Sequence, residues 1–546
     1  MAIAWLAVVP LGFLVYTTFV VDGSPSLSNV SAAFGADASM LWTLTANTMT
    51  YAVGATVLAL IIATPMAYLA ARTDVPFRPL LFVSALAPLV IPGVLHTIAW
   101  IFLGADRSGW LNELTELMFG IRPFNVRSME GMIFVEATNQ IPLLFLLMYA
   151  AFRSADPSLE EAALTTGARL PTVIRRVSLP LVKPSLFAGV LIMIVLAMES
   201  FEGPSLLGLP AGIQVFTSRI FQLLRTYPIE YGQAGAFALV LLALTAIGVF
   251  AYSRLGKGTA AFETVSGKAF RARRHQLGKL RVPMGAAIVV LFVVSTVLPV
   301  GVLVLMSFQP YPSVPTMGSF TLDNYRYVFG NPRVLDALGN SLMLSIGAAT
   351  IIMSMMTVAA WLVLRSRHPG AWALDGVSFL PIAIPGVVMG AALLIVYLRL
   401  PVPIYGTLWI LLIAYCTRYM PYGMRYASAG LRQINGELEE AAFASGASRM
   451  RTLRSVVLPL MAPSFAAGWI FIVMSAIREL SSSILLYSPG GEVLGPLIWD
   501  MWDTGLATEL SAAGVVMMVL LGILALFAKL VADYFGVKES KDNHVG

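Results

Sequence analysis

EEAALTTGARLPTVIRRVSLPLVKPS, residues 160–185, and EEAAFASGASRMRTLRSVVLPLMAPS, residues 439–464, are one segment written twice. They align without a gap at an offset of 279; Glu160, Glu161, Ala162, Ala163, Gly167, Ala168, Arg175, Leu179, Pro180, Pro184 and Ser185 all recur. Each copy sits between long apolar runs and carries more Arg and Lys than Glu, so each reads as a cytoplasmic loop of a membrane protein. Glu-Glu-Ala-Ala favours a helix, and the glycine seven residues after its first glutamate favours an end to it. Leu-Pro ahead of the next apolar run predicts a stop and a re-start. The expected product is a helix–turn–helix lying on the membrane surface and shaped to dock into a partner.

The pattern E-A-A, three residues, G, then a run ending in L-P resembles the cytoplasmic coupling loop of the permease subunits of type I ABC importers. Its doubling in one chain resembles the fused two-half branch for ferric iron, whose relatives carry thiamine, aminoethylphosphonate and polyamines. The resemblance extends over nearly the whole chain. It implies an all-α membrane protein of about twelve transmembrane helices, two parallel six-helix repeats of the MetI-like importer domain. The implied function is that of a permease which moves ferric iron by ATP-driven alternating access. The resemblance further implies that Glu160, Glu161, Ala162 and Gly167, with Glu439, Glu440, Ala441 and Gly446, couple the chain to two copies of an ABC ATPase subunit. A periplasmic or lipid-anchored solute-binding protein and a bacterial inner-membrane location follow from the same resemblance. ATP and magnesium would belong to the ATPase, and no cofactor is expected in this chain.

Composition leads to the membrane independently. Of 546 residues, 58% are hydrophobic and 12% charged, and the mean hydropathy is +0.81, far from the soluble range. The net charge of +6 comes largely from basic loops and reports orientation, with no sign of nucleic acid. One cysteine, Cys416, excludes disulfides and thiolate metal sites within the chain.

The first 21 residues are apolar, without a basic opening or a small-residue cleavage site, and read as a retained helix with room for a basic leader ahead of it. Further spans are expected near 41–71, 77–104, 129–153, 185–209 and 232–254, then near 284–308, 337–366, 372–399, 405–430, 464–487 and 510–534. This divides the chain into a first half, 1–254, a linker, 255–282, and a second half, 283–546. Residues 254–281 hold eight Lys and Arg against one acid, Glu263, whereas 488–509 hold four acids and no base. The first stretch and both termini should therefore be cytoplasmic and the second outside.

The halves repeat elsewhere too. Leu27-Ser28-Asn29 matches Leu322-Asp323-Asn324, Asn47-Thr48 matches Asn340-Ser341, and Pro88, Pro92 and Gly93 match Pro381, Pro385 and Gly386. Six spans per half place the copies in one orientation, as in a pore with a pseudo-two-fold axis normal to the bilayer. The offset falls from 293 at the prolines to 279 at the doubled loop, so the first half has about fourteen extra residues, which 104–128 can absorb. The portion 108–125 has helical apolar spacing and suits an outer interfacial helix or a lid. Pro88, Pro92, Pro381 and Pro385 free backbone carbonyls within apolar helices, which bends them; they are candidate hinges or static kinks.

Ionisable residues inside spans are costly and mark a passage or a partner. They are Glu136, near Asn139 and Gln140; Glu199 and Glu202 at the end of the fifth span; Arg478, Glu479 and nearby Ser481 at the corresponding place; and Arg418 in the tenth. Two readings stand for them, a translocation pathway or ion pairs that hold the bundle. His96 has no second His or Cys at ligand spacing and reads as a packing residue. No G-x-x-x-x-G-K-[ST] run exists; Gly256-Lys257-Gly258-Thr259 lacks the upstream glycine. ATP hydrolysis would then need a separate chain. An ion-coupled secondary transporter also uses repeats and buried charges, but the doubled loop favours the importer.

Overall fold

The computed structural model describes residues 2–35, 38–259, 275–313, 319–365 and 370–534. Most of the basic linker, residues 260–274, lies outside them. Among the described residues nine helices are long and apolar enough to cross a membrane: Ala2–Phe19, Ser39–Arg72, Met129–Ser154, Leu170–Glu199, Tyr231–Tyr252, Gly278–Ser307, Pro332–Arg365, Arg449–Ile477 and Ala507–Tyr534. The pair Ala371–Ala383 and Gly386–Arg399, bent by 107°, makes a tenth if it is one broken span and not a re-entrant loop. The remaining two expected spans are also helical. Residues 77–104 form Arg78–Val90 and Gly93–Gly104, and 405–430 correspond to Leu408–Arg432, which carries Arg418, Arg425 and Arg432.

Two expectations are corrected. The spans placed at 185–209 and 464–487 begin and end earlier, because each helix runs straight through its Leu-Pro instead of stopping. A wide turn of π type, Ile174–Ser178, Val293–Val297 and Leu453–Val457, immediately precedes Leu179-Pro180, Leu298-Pro299 and Leu458-Pro459. Proline lacks a donor and its ring crowds the carbonyl four residues back; widening the turn moves that carbonyl aside and lets the helix continue. Secondly, at Pro92 and Pro385 the bend falls at a break and not within a continuous helix, while Pro88 lies inside Arg78–Val90 and Pro381 in the turn Leu380–Ala383. Pro92 and Pro385 are the N-caps of new helices, with φ −59° and −55°, so the chain breaks and restarts there.

Two compact units form, and they cut across the halves read from sequence. Ala2–Phe19 belongs to the unit of residues Thr321–Gly546, where it packs on Ala371–Phe379 and Gly386–Arg399. Arg281–Phe292 and Leu298–Ser307 belong to the unit of Ser31–Gln222, where they pack on Arg78–Val90 and Gly93–Gly104 respectively. The first helix of each sequence half thus completes the unit built by the other half.

Each unit is organised along one 34-residue helix. Ser39–Arg72 buries Ala55, Ala59, Ala63, Ala67 and Ala70 completely, and this small-residue stripe lets Met129–Ser154 and Leu179–Glu199 come close. Pro332–Arg365 packs similarly on Leu408–Arg432 and Leu458–Ile477. Tightness there is visible at Gly423, where a Cβ would lie 2.5 Å from Ile352. The helix expected within 108–125 is present as Trp110–Phe119, tied down by the buried Asn112, which donates to the carbonyls of Ala105 (2.9 Å) and Phe124 (2.7 Å). Leu117, Met118 and Phe119 are left exposed.

Candidate functional site

The two doubled loops fold alike. Ser158–Thr165 and Gly436–Ala444 are short helices, the second capped by Asn435, which accepts from the Glu437 amide. In the first, Asp156 accepts from the Ser158 amide at 2.9 Å, and these bonds hold its carboxyl below the usual range. Both helices end on a glycine with positive φ, Gly167 at +87° and Gly446 at +83°. The next amide reaches back five residues, Ala168 to Ala163 (3.2 Å) and Ala447 to Ala442 (3.0 Å), which closes the helix end. A Cβ on either glycine would meet nothing within 4 Å, so the requirement is conformational and not one of space.

The paired glutamates divide into two roles. Glu161 and Glu440 are exposed, with Ala162 and Ala441, and form the outward face. Glu160 and Glu439 are buried and face inward. Glu439 accepts from Arg365 Nε (2.7 Å) and Trp361 Nε1 (3.0 Å). Glu160 pairs with Arg72 (Nε 3.6 Å) and with His275 Nε2 (3.2 Å), the latter at the end of the linker. Arg72 also donates to the carbonyl of Ala155 at 2.6 Å, and Arg365 to that of Ile434 at 2.7 Å, equivalent carbonyls just past the helix before each loop. Reading the sequence alone singles out neither Arg72 nor Arg365. Their common offset of 293 was the available signal, since both end the long helix of their unit.

The charges within spans form two different sites, one in each unit. In the first, Glu136 is buried and accepts from Tyr51 Oη (2.9 Å), Ser200 Oγ (3.0 Å) and Gln140 Nε2 (3.3 Å). Glu199 and Glu202 follow on the segment that carries Ser200, both partly exposed. Glu202 faces Gly93 at the helix restart, where a Cβ would stand 3.5 Å from its carboxyl carbon. In the other unit, Glu479 accepts from the amides of Ser482 (3.0 Å) and Ser483 (3.2 Å) and from Ser483 Oγ (2.8 Å), and it pairs with Arg418 at 3.5 Å. Gly386, the counterpart of Gly93, faces Ser481 and the Arg418 guanidinium.

Aligned at 279, Glu136 corresponds to Tyr415 and Ser200 to Glu479, so carboxylate and hydroxyl have exchanged positions, and Tyr415 Oη meets Ser483 Oγ at 2.9 Å, which in turn donates to Glu479. Arg478 donates to the Met474 carbonyl of its own helix (3.2 Å). His96 is buried and meets Thr138 Oγ1 at 3.0 Å, as a packing residue would. Among the described residues no three His, Cys, Asp or Glu side chains converge as a metal cluster would need.

If the doubled loops dock an ABC ATPase subunit, as the resemblance implies, replacing Gly446 with valine should leave the chain inserted but separate it from that subunit. A β-branched residue at φ +83° is strained by about 1–2 kcal/mol or more, while asparagine tolerates that conformation. Co-purification of the ATPase should therefore fail for Gly446→Val and persist for Gly446→Asn; equal retention in both would refute the role.

Residues 55–257 and again 355–538 match the family described as binding-protein-dependent transport system inner membrane component. The ferric transport system permease protein FbpB of Actinobacillus pleuropneumoniae is 25% identical over 466 residues, which is 83% of this chain and 66% of that protein. The chain thus spans just under two thirds of that relative. The Fe(3+)-transport system permease protein FbpB 2 of Haemophilus influenzae is 24% identical, over 84% of this chain and 83% of its own length. The spermidine/putrescine transport system permease protein PotC of Escherichia coli is 26% identical over 43% of this chain and 88% of its length.

Proposed function

We propose, because this chain belongs to the family of binding-protein-dependent transport system inner membrane components, that it is the permease subunit of an ABC importer in a bacterial inner membrane and that its solute is ferric iron. The observation that carries the permease reading is the doubled loop, whose exposed Glu-Ala-Ala face and αL glycine have the same geometry in both units. Two docking elements of the same fold call for two ATPase copies, and these would hold ATP and magnesium. A solute-binding protein would deliver the solute from outside.

The sign of the solute follows from how the buried charges are already occupied. Arg418 is paired with Glu479, which weakens the case for an anion such as a phosphonate, since a clamp on phosphate needs uncommitted Arg donors. Glu199 and Glu202, both partly exposed in the other unit, offer hard oxygen donors, and these suit Fe(III). They act as a weak and transient path, because a tightly held ion would not leave. Uptake of ⁵⁵Fe(III) by the assembled importer should fall at least tenfold in Glu202→Gln and in Glu199→Gln, with ATPase association unchanged. Undiminished iron uptake in both, or saturable uptake of thiamine, a polyamine or aminoethylphosphonate with none of iron, would overturn the ferric assignment.

A further inference from the structure

The 34-residue helices Ser39–Arg72 and Pro332–Arg365 are held at both ends by the same four kinds of contact, independently in each unit. At the inner end Arg72 and Arg365 join three elements: their own helix, the carbonyl at the close of the preceding span (Ala155, Ile434), and the buried glutamate of the doubled loop (Glu160, Glu439). At the other end Asn47 Nδ2 donates to the Gln214 carbonyl (2.9 Å) and Asn340 Nδ2 to that of Glu492 (3.0 Å). The next residue, Thr48 or Ser341, accepts from the amide of Phe216 (3.2 Å) or Leu494 (2.8 Å). Those amides begin the short helices Phe216–Arg225 and Leu494–Asp503, which follow the buried turn after each span.

Asn47 and Arg72, like Asn340 and Arg365, stand 25 residue steps apart along the helix, about 38 Å at 1.5 Å per residue. That length exceeds the roughly 30 Å hydrocarbon core, so one element reaches from one face to the other. A clamp made of Coulombic and directional hydrogen bonds at both ends, buried at Arg72, Thr48 and Ser341, transmits displacement where apolar contacts would slide. A sequence that keeps both clamps while the mid-span charges diverge uses them for something common to the two units.

We propose that Ser39–Arg72 and Pro332–Arg365 are struts that carry movement of the doubled loops to the short helices at the opposite face, with Arg72 and Arg365 as positioning residues at the joints. This rests on the permease reading, in which the loops follow the ATPase and the far face receives the solute-binding protein. Loss of a strut's clamp would uncouple the faces without dismantling either.

The test uses the complete assembly in lipid vesicles, with ATP hydrolysis measured with and without the binding protein that co-purifies, loaded with Fe(III). In Arg72→Gln/Arg365→Gln, unstimulated hydrolysis should stay within about twofold of the unaltered assembly, while stimulation by the binding protein falls to near unity. Asn47→Ala/Thr48→Ala/Asn340→Ala/Ser341→Ala should do the same, although these positions do not touch the doubled loops. That second variant decides the matter if the arginine variant fails to assemble. Full stimulation in the second variant, when the unaltered chain is stimulated, overturns the strut alone. No stimulation in the unaltered chain overturns the ferric assignment and, with no coupling left to carry, the strut as well.

Discussion

Gly390→Val should abolish uptake and lower the melting temperature of the assembled permease. In Gly386–Arg399 a Cβ at Gly390 would stand 2.8 Å from the carbonyl oxygen of Ser482 and 3.1 Å from its Cα. Both atoms are backbone, so no side-chain rotation relieves the clash. Nor can the loop retreat, because the amides of Ser482 and Ser483 are held by the buried Glu479 carboxylate; moving them would leave a buried charge without its donors. Overpacking by one or two methylenes costs about 1–3 kcal/mol, and valine adds three carbons against a fixed wall, so about 3 kcal/mol is the expected lower bound. For a unit of this size that is roughly 6–12 °C in melting temperature. Gly376→Ala is the control, since nothing lies within 4 Å of a Cβ there, and it should be neutral or slightly stabilising. A Gly390→Val assembly that melts with the unaltered one would show that the segment yields.

The fold was legible where a pattern repeats and illegible where two distant residues must be combined. The doubled loop, the matched prolines and the fourteen-residue excess each led to an element that exists: the paired loop helices, the broken spans and the helix Trp110–Phe119. Leu-Pro was misread as a stop because the rule that proline ends a helix assumes a regular turn before it; a widened turn removes the clash. Glu160 and Glu161 could not be separated in sequence. Adjacent residues on a short helix diverge by about 100°, and only the position of Arg72 decides which one turns inward. The exchange of first helices between the compact units was likewise hidden, since hydropathy gives a helix's length and not its neighbour.

Arg418 and Glu479 separate the two readings left open for the buried charges, and we expect them to prove structural. Both carboxylate oxygens of Glu479 are engaged by the loop that follows it, through the Ser482 and Ser483 amides and the Ser483 hydroxyl, with Arg418 as counter-charge. A carboxylate so committed has little left for a passing ion. Arg418→Met alone leaves Glu479 buried and uncompensated, which costs about 3 kcal/mol, the lower end for breaking a buried pair, because the guanidinium is 24% exposed. Replacing both, Arg418→Met with Glu479→Gln, removes the charges together, and such a swap is often close to neutral. The single arginine variant should therefore be the least stable of the series, and the double variant should recover most of the lost stability, a coupling that a double-mutant cycle measures directly. If the solute is ferric iron, its uptake should follow stability in this series, returning to more than half in the double variant. By contrast, Glu202→Gln should lose uptake while melting normally, since Glu202 stands partly exposed beside Gly93. A double variant that regains stability but transports no iron would place Glu479 on the path instead, and the asymmetry between the two sites would then belong to the solute and not to the bundle.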